Sequence, residues 1–416
     1  MKTTALRLYG KNDLRLETFD LPETGAERIL CRIVSDSVCM SSYKAAIQGA
    51  DHKRVPDDVA VNPIILGHEF CGEIVEVGER WKGQFHPGQR FTIQPALNYK
   101  GSLASPGYSY AYMGGAATYT LLEKEVMELG CLLPYAGKSY FEGSLAEPMS
   151  CIIGAYHAAY HTTNGVYTHQ MGIRQGGHCA ILAGAGPMGL GAIDYALHAD
   201  RRSAVLVVTD IDANRLARAR SVFTVEEAAR QGVALHYMDG KDDAALLALT
   251  GGNGFDDVFV YAPVQAVVEQ ADRLLGRDGC LNFFAGPSNP AFAATMNFYN
   301  VHYASTHVVG TSGGNIDDLN EALSMTAKGL IQPACMVTHI GGLNAAAETT
   351  MNLPSIPGGK KLIYTHIEMP LTAIDGFAAK ADADERFKTL HEICARHNML
   401  WSAEAETYVL DAFAVK

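Results

Sequence analysis

Cys179-Ala180-Ile181-Leu182-Ala183-Gly184-Ala185-Gly186-Pro187-Met188-Gly189 is the stretch on which the fold turns. A short apolar run leads into closely spaced glycines, and a helix-like segment follows to about His198. Glycines in this spacing allow a tight turn, let a pyrophosphate approach the backbone and let helix pack close to strand, with the helix N-terminus facing the phosphate charge. The motif alone is weak. It gains weight from a second apolar run, Ala204 to Val208, that ends in Thr209-Asp210. Asp210 falls about 20 residues downstream, where an acidic side chain hydrogen-bonds the adenosine ribose. Gly184, Gly186, Pro187, Met188, Gly189 and Asp210 are therefore the expected dinucleotide contacts. A carboxylate there repels a 2′-phosphate, which favours NAD(H); Arg215, about a helical turn further on, keeps NADP(H) open.

Working outward, apolar runs alternate with helix-like segments from about 176 to 312: Ala180 to Ala183, Ala204 to Val208, Val233 to Tyr237, Val258 to Tyr261 and Cys280 to Phe284. Such alternation predicts an α/β domain with a doubly wound parallel sheet. Before it, to about Leu133, shorter β-rich runs such as Arg28 to Val34 and Gly72 to Val77 are punctuated by Gly and Pro, the pattern of a partly open β-barrel. After about Leu330 come a strand-like Lys361 to Thr365 and an amphipathic segment Asp384 to His397 with Phe387, Leu390, Ile393 and Cys394 on one face. This tail is expected to pack back on the barrel. The expected domains are 1–170 and 326–416 for the barrel part and 171–325 for the nucleotide part.

The barrel part carries the metal chemistry. Cys39, His68 in Gly67-His68-Glu69-Phe70-Cys71-Gly72, and Glu147 ahead of Pro148 offer a thiolate, an imidazole and a carboxylate. Three protein ligands leave a fourth tetrahedral position open on a catalytic zinc, whereas structural sites are closed by four Cys or His. Cys39 and Glu147 would cancel the Zn²⁺ charge while His68 adds a neutral nitrogen. Glu69 has two readings: an alternate ligand during ligand exchange, or an inward salt bridge.

At 416 residues, 48% hydrophobic and 19% charged, the chain has ample core for two domains. A net charge of −12 argues against nonspecific binding to nucleic acid or anionic membranes, though a local basic pocket is still able to hold a phosphate. The N-terminal MKTTALRLYGKNDLRLE lacks an apolar core, and no stretch approaches 18 uninterrupted apolar residues, so a cytoplasmic protein is expected. Nine scattered cysteines fit reduced thiols better than a disulfide framework.

Cys39, GHEFCGEIVEVGE from Gly67, AEP from Ala146 and GAGPMG from Gly184 occur in one order, and in this the chain resembles the zinc-containing medium-chain alcohol and polyol dehydrogenases. The resemblance covers most of the chain. It implies a GroES-like barrel with an inserted Rossmann domain, one catalytic zinc, hydride exchange with a nicotinamide cofactor, and a homodimer or homotetramer. It also implies that Ser41 takes the substrate's proton. Thr311, in Thr311-Ser312-Gly313-Gly314, either contacts the nicotinamide or substrate or is part of a plain turn. Two departures stand out. Ser42 occupies a position where most relatives carry an aspartate that orients the ligating histidine. No cysteine lies between Cys71 and Cys131, so the four-cysteine structural zinc of many relatives is not expected.

Glu147-Pro148 is similar to sorbitol dehydrogenases. Gln94 to Tyr99, Ser105 to Tyr110 and Cys39-Met40-Ser41-Ser42-Tyr43-Lys44 look more like sorbose 1-phosphate reductases. Ser41, Ser42, Tyr43, Glu69 and Tyr110 are candidate partners for polyol hydroxyls. Lys44 and His52-Lys53-Arg54 are candidates for a phosphate, with a merely solvated charge run as the alternative. The expected activity is NAD(H)-linked, zinc-dependent interconversion of a polyol, or polyol phosphate, with its ketose, led by L-sorbose 1-phosphate and D-glucitol 6-phosphate. Two alternatives stay open: an unphosphorylated polyol dehydrogenase, and a nucleotide-binding redox sensor without turnover.

Overall fold

The computed structural model of the chain describes residues 1–163 and 165–415. They form two compact units: Met1–Glu147 with Val337–Lys416, and Pro148–Met336.

In the first unit the strand Ile29–Val38 is the hub. It pairs antiparallel with Phe70–Val77, Tyr119–Leu122 and Lys360–Tyr364. Such a strand, covered on both faces, has no reason to alternate, and every residue but Arg32 is buried. The sheet continues through Arg90–Ile93 to Leu132–Pro134 on one side and through Val337–Gly342 to Thr372–Ala373 on the other. A three-stranded sheet of Asp13–Asp20, Lys2–Gly10 and Ile64–Ile65 completes the partly open β-barrel. Register sets the site: Asp36 lies opposite Phe70 on one side and Ile363 on the other, and Val38 lies opposite Lys361. The segments before Phe70 and Lys361 are thereby drawn to the end of the hub strand, where the chain enters the helix Met40–Gln48.

The tail belongs to this unit. Helix Glu385–Arg396 buries Phe387, Leu390, Ile393 and Cys394, and the Asp384 carboxylate caps it by accepting from Arg386 N. Phe387 packs against Phe377 and Phe413 at ring distances of 5.9 and 5.4 Å. Burying an aromatic side chain of this size contributes about 1.5–3 kcal/mol.

The second unit is a six-stranded, wholly parallel sheet in the order Ala234–Met238, Val205–Thr209, His178–Leu182, Phe255–Val260, Leu275–Phe283 and His307–Val309. Numbered along the chain this is 3-2-1-4-5-6, the doubly wound dinucleotide-binding order. Helix Gln265–Leu274 lays Val268, Ala271 and Leu274 on a core that includes Ala180, Val207, Phe255, Val258 and Leu281.

The units divide at 147/148 and 336/337 instead of the expected 170/171 and 325/326. Side-chain contacts explain the shift. Tyr156 stacks on Phe259 at 4.4 Å, and His161 meets the Asp257 carboxylate at 3.2 Å and the Asp278 carbonyl at 3.0 Å. At the far end Asp318 reaches His157 at 2.8 Å, and Gln332 N donates to Asp194 at 2.6 Å. Both flanks thus belong with the parallel sheet. Among the described residues no helix is long and apolar enough to cross a membrane.

Candidate active site

The candidate metal centre lies at the end of the hub strand. Cys39 caps the helix Met40–Gln48, and His68-Glu69 immediately precede the strand Phe70–Val77. One donor atom each from Cys39, His68 and Glu69 lies within 4.8 Å of the others; among the described residues no other group of three or more His, Cys, Asp or Glu is so close. A thiol, an imidazole and a carboxylate in that spread suit a tetrahedral cation, whose bound ligands stand roughly 3.5 Å apart.

Glu69 makes the inward salt bridge. Its two carboxylate oxygens accept from Lys360 Nζ at 2.6 and 2.5 Å, and the Ser37 hydroxyl donates to Oε2 at 2.5 Å. Both partners are buried. Lys360 and its hydrogen bonds hold Glu69 below the usual carboxylate range although burial pushes it up. Glu147 sits in the first turn of the helix Ala146–Ala158 and is buried. It stands outside the Cys39, His68 and Glu69 group, yet near enough for its charge to act on Lys360 and Tyr108. The geometry thus places two carboxylates here: Glu69, grouped with Cys39 and His68 but committed through both oxygens to Lys360, and Glu147, the carboxylate of the sequence reading, beside them. The charges close with both included: Cys39 as thiolate, Glu69 and Glu147 balance Zn²⁺ and Lys360⁺.

Burial pushes the Cys39 thiol up to about 11, with Glu69 adding to the rise, so it is a thiol until a cation arrives. Burial takes His68 down to about 4, which leaves it neutral, as a metal ligand must be. Its Nε2 lies 3.3 Å from Ser41 Oγ and 3.2 Å from Tyr108 Oη, and Tyr108 donates to Ser41 at 2.7 Å. On the other edge Nδ1 lies 3.5 Å from Ser42 Oγ.

The expected substrate residues divide. Tyr43 packs into an apolar cluster with Leu6, Leu8 and Val38. Tyr110 is half-buried beside Glu123 and Glu125, and burial raises its hydroxyl to about 12. Tyr108, two residues earlier, is the tyrosine at the metal centre. The cations do converge. His52 stacks on Tyr108 at 5.6 Å and the Arg54 guanidinium lies 5.5 Å from the same ring. Burial, then Arg54, Lys53 and Lys44, bring His52 down to about 4. Burial also lowers Lys44, against the Cys39 charge that raises it. Arg54 donates to Ser105 Oγ at 3.3 Å, and Ser109 Oγ donates to the Arg54 carbonyl at 2.7 Å. The Ser105 to Tyr110 stretch thus wraps this basic corner. Among the described residues neither Lys53 nor Arg54 forms an ion pair.

Sequence reasoning missed Tyr108, Lys360 and Ser37. For Lys360 there was a signal: two adjacent lysines open a strand whose residues are all buried.

In the second unit each glycine of the loop has its own reason. A Cβ on Gly189 would stand 2.0 Å from the Gly184 carbonyl oxygen, so helix Pro187–His198 packs on the turn only without one. A Cβ on Gly186 would meet nothing within 4 Å, and that open side is where a pyrophosphate can approach. Asp210 immediately follows the strand Val205–Thr209; its oxygens accept from Ala185 N at 3.2 Å and Asp212 N at 3.0 Å. Arg215 lies 3.7 Å from Asp212 at the surface. Thr311 follows the strand His307–Val309 at the carboxyl ends of the sheet, the edge at which such sheets bind dinucleotides.

Two family models match: "Zinc-binding dehydrogenase" over residues 187–328 and "Alcohol dehydrogenase GroES-like domain" over residues 25–130. The chain is 53% identical to L-sorbose 1-phosphate reductase of Klebsiella pneumoniae, over 98% of this chain and 97% of that one. It is 52% identical to mannitol-1-phosphate 5-dehydrogenase of Aliivibrio fischeri, over 100% and 99%. Among solved structures, 2R,3R-butanediol dehydrogenase from Bacillus subtilis superposes with a TM-score of 0.70 at 21% identity, over 87% of this chain and 99% of that one, a likeness of fold.

Proposed function

Because the chain belongs to the zinc-dependent alcohol and polyol dehydrogenase family, we propose that it interconverts L-sorbose 1-phosphate and D-glucitol 6-phosphate with NAD(H). At the level of class, the protein is a zinc-type dehydrogenase of polyols or sugar phosphates.

The observation that carries the finer reading is the basic corner on Tyr108. Lys44, His52, Lys53 and Arg54 gather where one tyrosine touches both the Arg54 face and His68. An arginine fork binds phosphate through two charge-assisted hydrogen bonds. A phosphate held there lies close to the reacting carbon, which suits a 2-ketose phosphorylated on carbon 1, where the carbonyl neighbours the phosphorylated carbon. A phosphate at the far end of the sugar would suit it less well.

When bound, zinc polarises the substrate oxygen and the nicotinamide exchanges the hydride. Cys39 and His68 would hold the metal, with Glu147 as the third donor and Glu69 as its alternate. Ser41 Oγ, fixed by Tyr108, would take the proton from the substrate hydroxyl. Lys360 keeps Glu69 charged and in place. Gly186 and the N-terminus of helix Pro187–His198 would receive the pyrophosphate, with Asp210 on the ribose and Thr311 near the nicotinamide.

The test is NADH oxidation by the zinc-loaded protein with L-sorbose 1-phosphate, D-fructose 1- and 6-phosphates and the free sugars, each repeated after chelation. Turnover on L-sorbose 1-phosphate, lost with zinc, is expected. Arg54→Ala should raise KM for the phosphate by about 10–100-fold, the worth of a charged hydrogen bond, and leave any free-sugar KM unchanged. Preference for D-fructose 6-phosphate would place the phosphate at the far end of the sugar, and turnover only on free sugars would overturn the phosphate reading.

A further inference from the structure

A histidine that gives Nε2 to a metal must carry its hydrogen on Nδ1, and that hydrogen needs an acceptor. Here Nδ1 lies 3.5 Å from Ser42 Oγ, which can accept it. A hydroxyl that accepts also has a proton of its own to place, so Ser42 alone does not finish the chain.

Asp36, on the hub strand, is 2% exposed and its Oδ1 has no hydrogen-bond partner. A buried oxygen left in that state is expensive. The surrounding backbone has been cleared for the carboxyl group: a Cβ on Gly67 would come within 2.4 Å of Oδ2, and one on Gly115 within 2.5 Å of Oδ1. Asp36, Ser42 and Gly67 also line one small cavity with about 10 Å³ of room, the size of a single water site. Apart from Thr350 the other lining side chains are apolar, so Asp36 and Ser42 are the natural partners of a water held there. Burial and the Glu69 charge hold the Asp36 carboxyl above its usual range, and Oδ1 can accept in either protonation state.

We propose that Asp36 is a positioning residue for the metal ligand: His68 Nδ1–H donates to Ser42 Oγ, and the Ser42 hydroxyl donates through a water in this cavity to Asp36 Oδ1. The inference rests on His68 being a zinc ligand.

The test combines zinc competition against a chromophoric chelator with ¹⁵N spectra of the histidine ring, His68 being assigned by its loss in His68→Asn. Asp36→Ala and Ser42→Ala should each weaken zinc binding by about 10–100-fold, and the double variant should be no weaker than the worse single one. Ser42→Asp in the Asp36→Ala background should restore binding. In the zinc-free protein His68 should be the Nδ1–H tautomer in wild type and a mixture in Asp36→Ala. Losses that multiply, or wild-type affinity and tautomer in Asp36→Ala, overturn the proposal. Should Asp36→Ala not fold, Asp36→Leu keeps the branched shape without an acceptor, and a wild-type tautomer there overturns it equally. If the wild type takes up no zinc, the ligand reading fails, and the tautomer measurement still decides the Asp36 chain.

Discussion

The nucleotide loop and the metal pocket reach their chemistry by opposite routes. Gly184 to Gly189 are contiguous, and what matters there is room: a Cβ at Gly189 collides with backbone, one at Gly186 meets open space. The pocket draws on Asp36 to Ser42, His68-Glu69, Tyr108, Glu147 and Lys360, which only strand pairing brings together. A loop of the first kind fails by steric collision. A pocket of the second kind fails when a buried charge loses its partner.

The sharpest way to break the pocket is therefore to remove Lys360. Lys360→Met leaves the Glu69 carboxylate, 1% exposed, without its cation, and breaking a buried pair from one side costs about 3–5 kcal/mol. Urea unfolding followed by tryptophan fluorescence reports on this unit alone, because Trp81 and Trp401 both lie in it. Adding Glu69→Gln to Lys360→Met should recover most of the loss. A single variant as stable as wild type would mean the pair contributes nothing.

Glu406 extends the same logic to a pH dependence. Its carboxylate accepts from Tyr140 N at 2.6 Å, Phe141 N at 2.8 Å and the Tyr364 hydroxyl at 2.9 Å, and burial pushes its pKa up to about 7. A pKa raised on folding stabilises the protein below the unfolded value of about 4.5. That stabilisation fades as pH rises through about 7, by roughly 3 kcal/mol at most. Trp401 donates to the Tyr364 hydroxyl at 2.7 Å, so its fluorescence should follow the transition. Wild type should lose stability between about pH 4.5 and 7 relative to Glu406→Gln; parallel curves would show that Glu406 titrates normally.

The loop should break differently. Gly189→Ala forces a Cβ against a backbone oxygen, and overpacking of that kind costs about 1–3 kcal/mol. Gly186→Ala should leave the unfolding midpoint unchanged and weaken NADH binding by about 10-fold, since the added methyl meets only the pyrophosphate. Far-ultraviolet dichroism and NADH fluorescence titration separate the two. Equal loss of stability in both variants would erase the distinction between packing and approach.

This contrast also governs what was legible in the sequence. The glycine loop, Asp210 and the buried face Phe387, Leu390, Ile393 and Cys394 are local patterns, and they fold as their spacing implies. Cys39 and His68 were legible as residue types because few side chains offer soft or borderline ligands. The sequence separates Glu147 as ligand from Glu69 as alternate or salt bridge, but the partner of that bridge, Lys360, lies 291 residues away and cannot be read from local pattern. Tyr110, and not Tyr108, stands among the sequence candidates because the direction of a side chain cannot be read in an irregular loop. Asp36 was invisible because its function depends on Gly67 and Gly115 making space from other segments.

The smallest expected effect concerns the cofactor. Arg215 leaves a 2′-phosphate conceivable by sequence, yet in the structure it is exposed and faces Asp212 at 3.7 Å. Exposed pairs of this kind are worth under about 1 kcal/mol. Asp210 is buried, and each of its oxygens accepts one backbone N–H, which leaves a further lone pair on each for ribose hydroxyls. A 2′-phosphate would meet Asp210 and Asp212 together, two negative groups against one half-committed arginine. Arg215→Ala should therefore change the ratio of kcat/KM for NADH over NADPH by less than about 3-fold, within the range of an exposed pair. Asp210→Ser should lower that ratio by more, through lost ribose contacts and lost repulsion. A large fall in NADPH use with Arg215→Ala would show that the arginine swings to the phosphate when it is offered one, and that this corner of the loop, like the pocket, is set by charge more than by room.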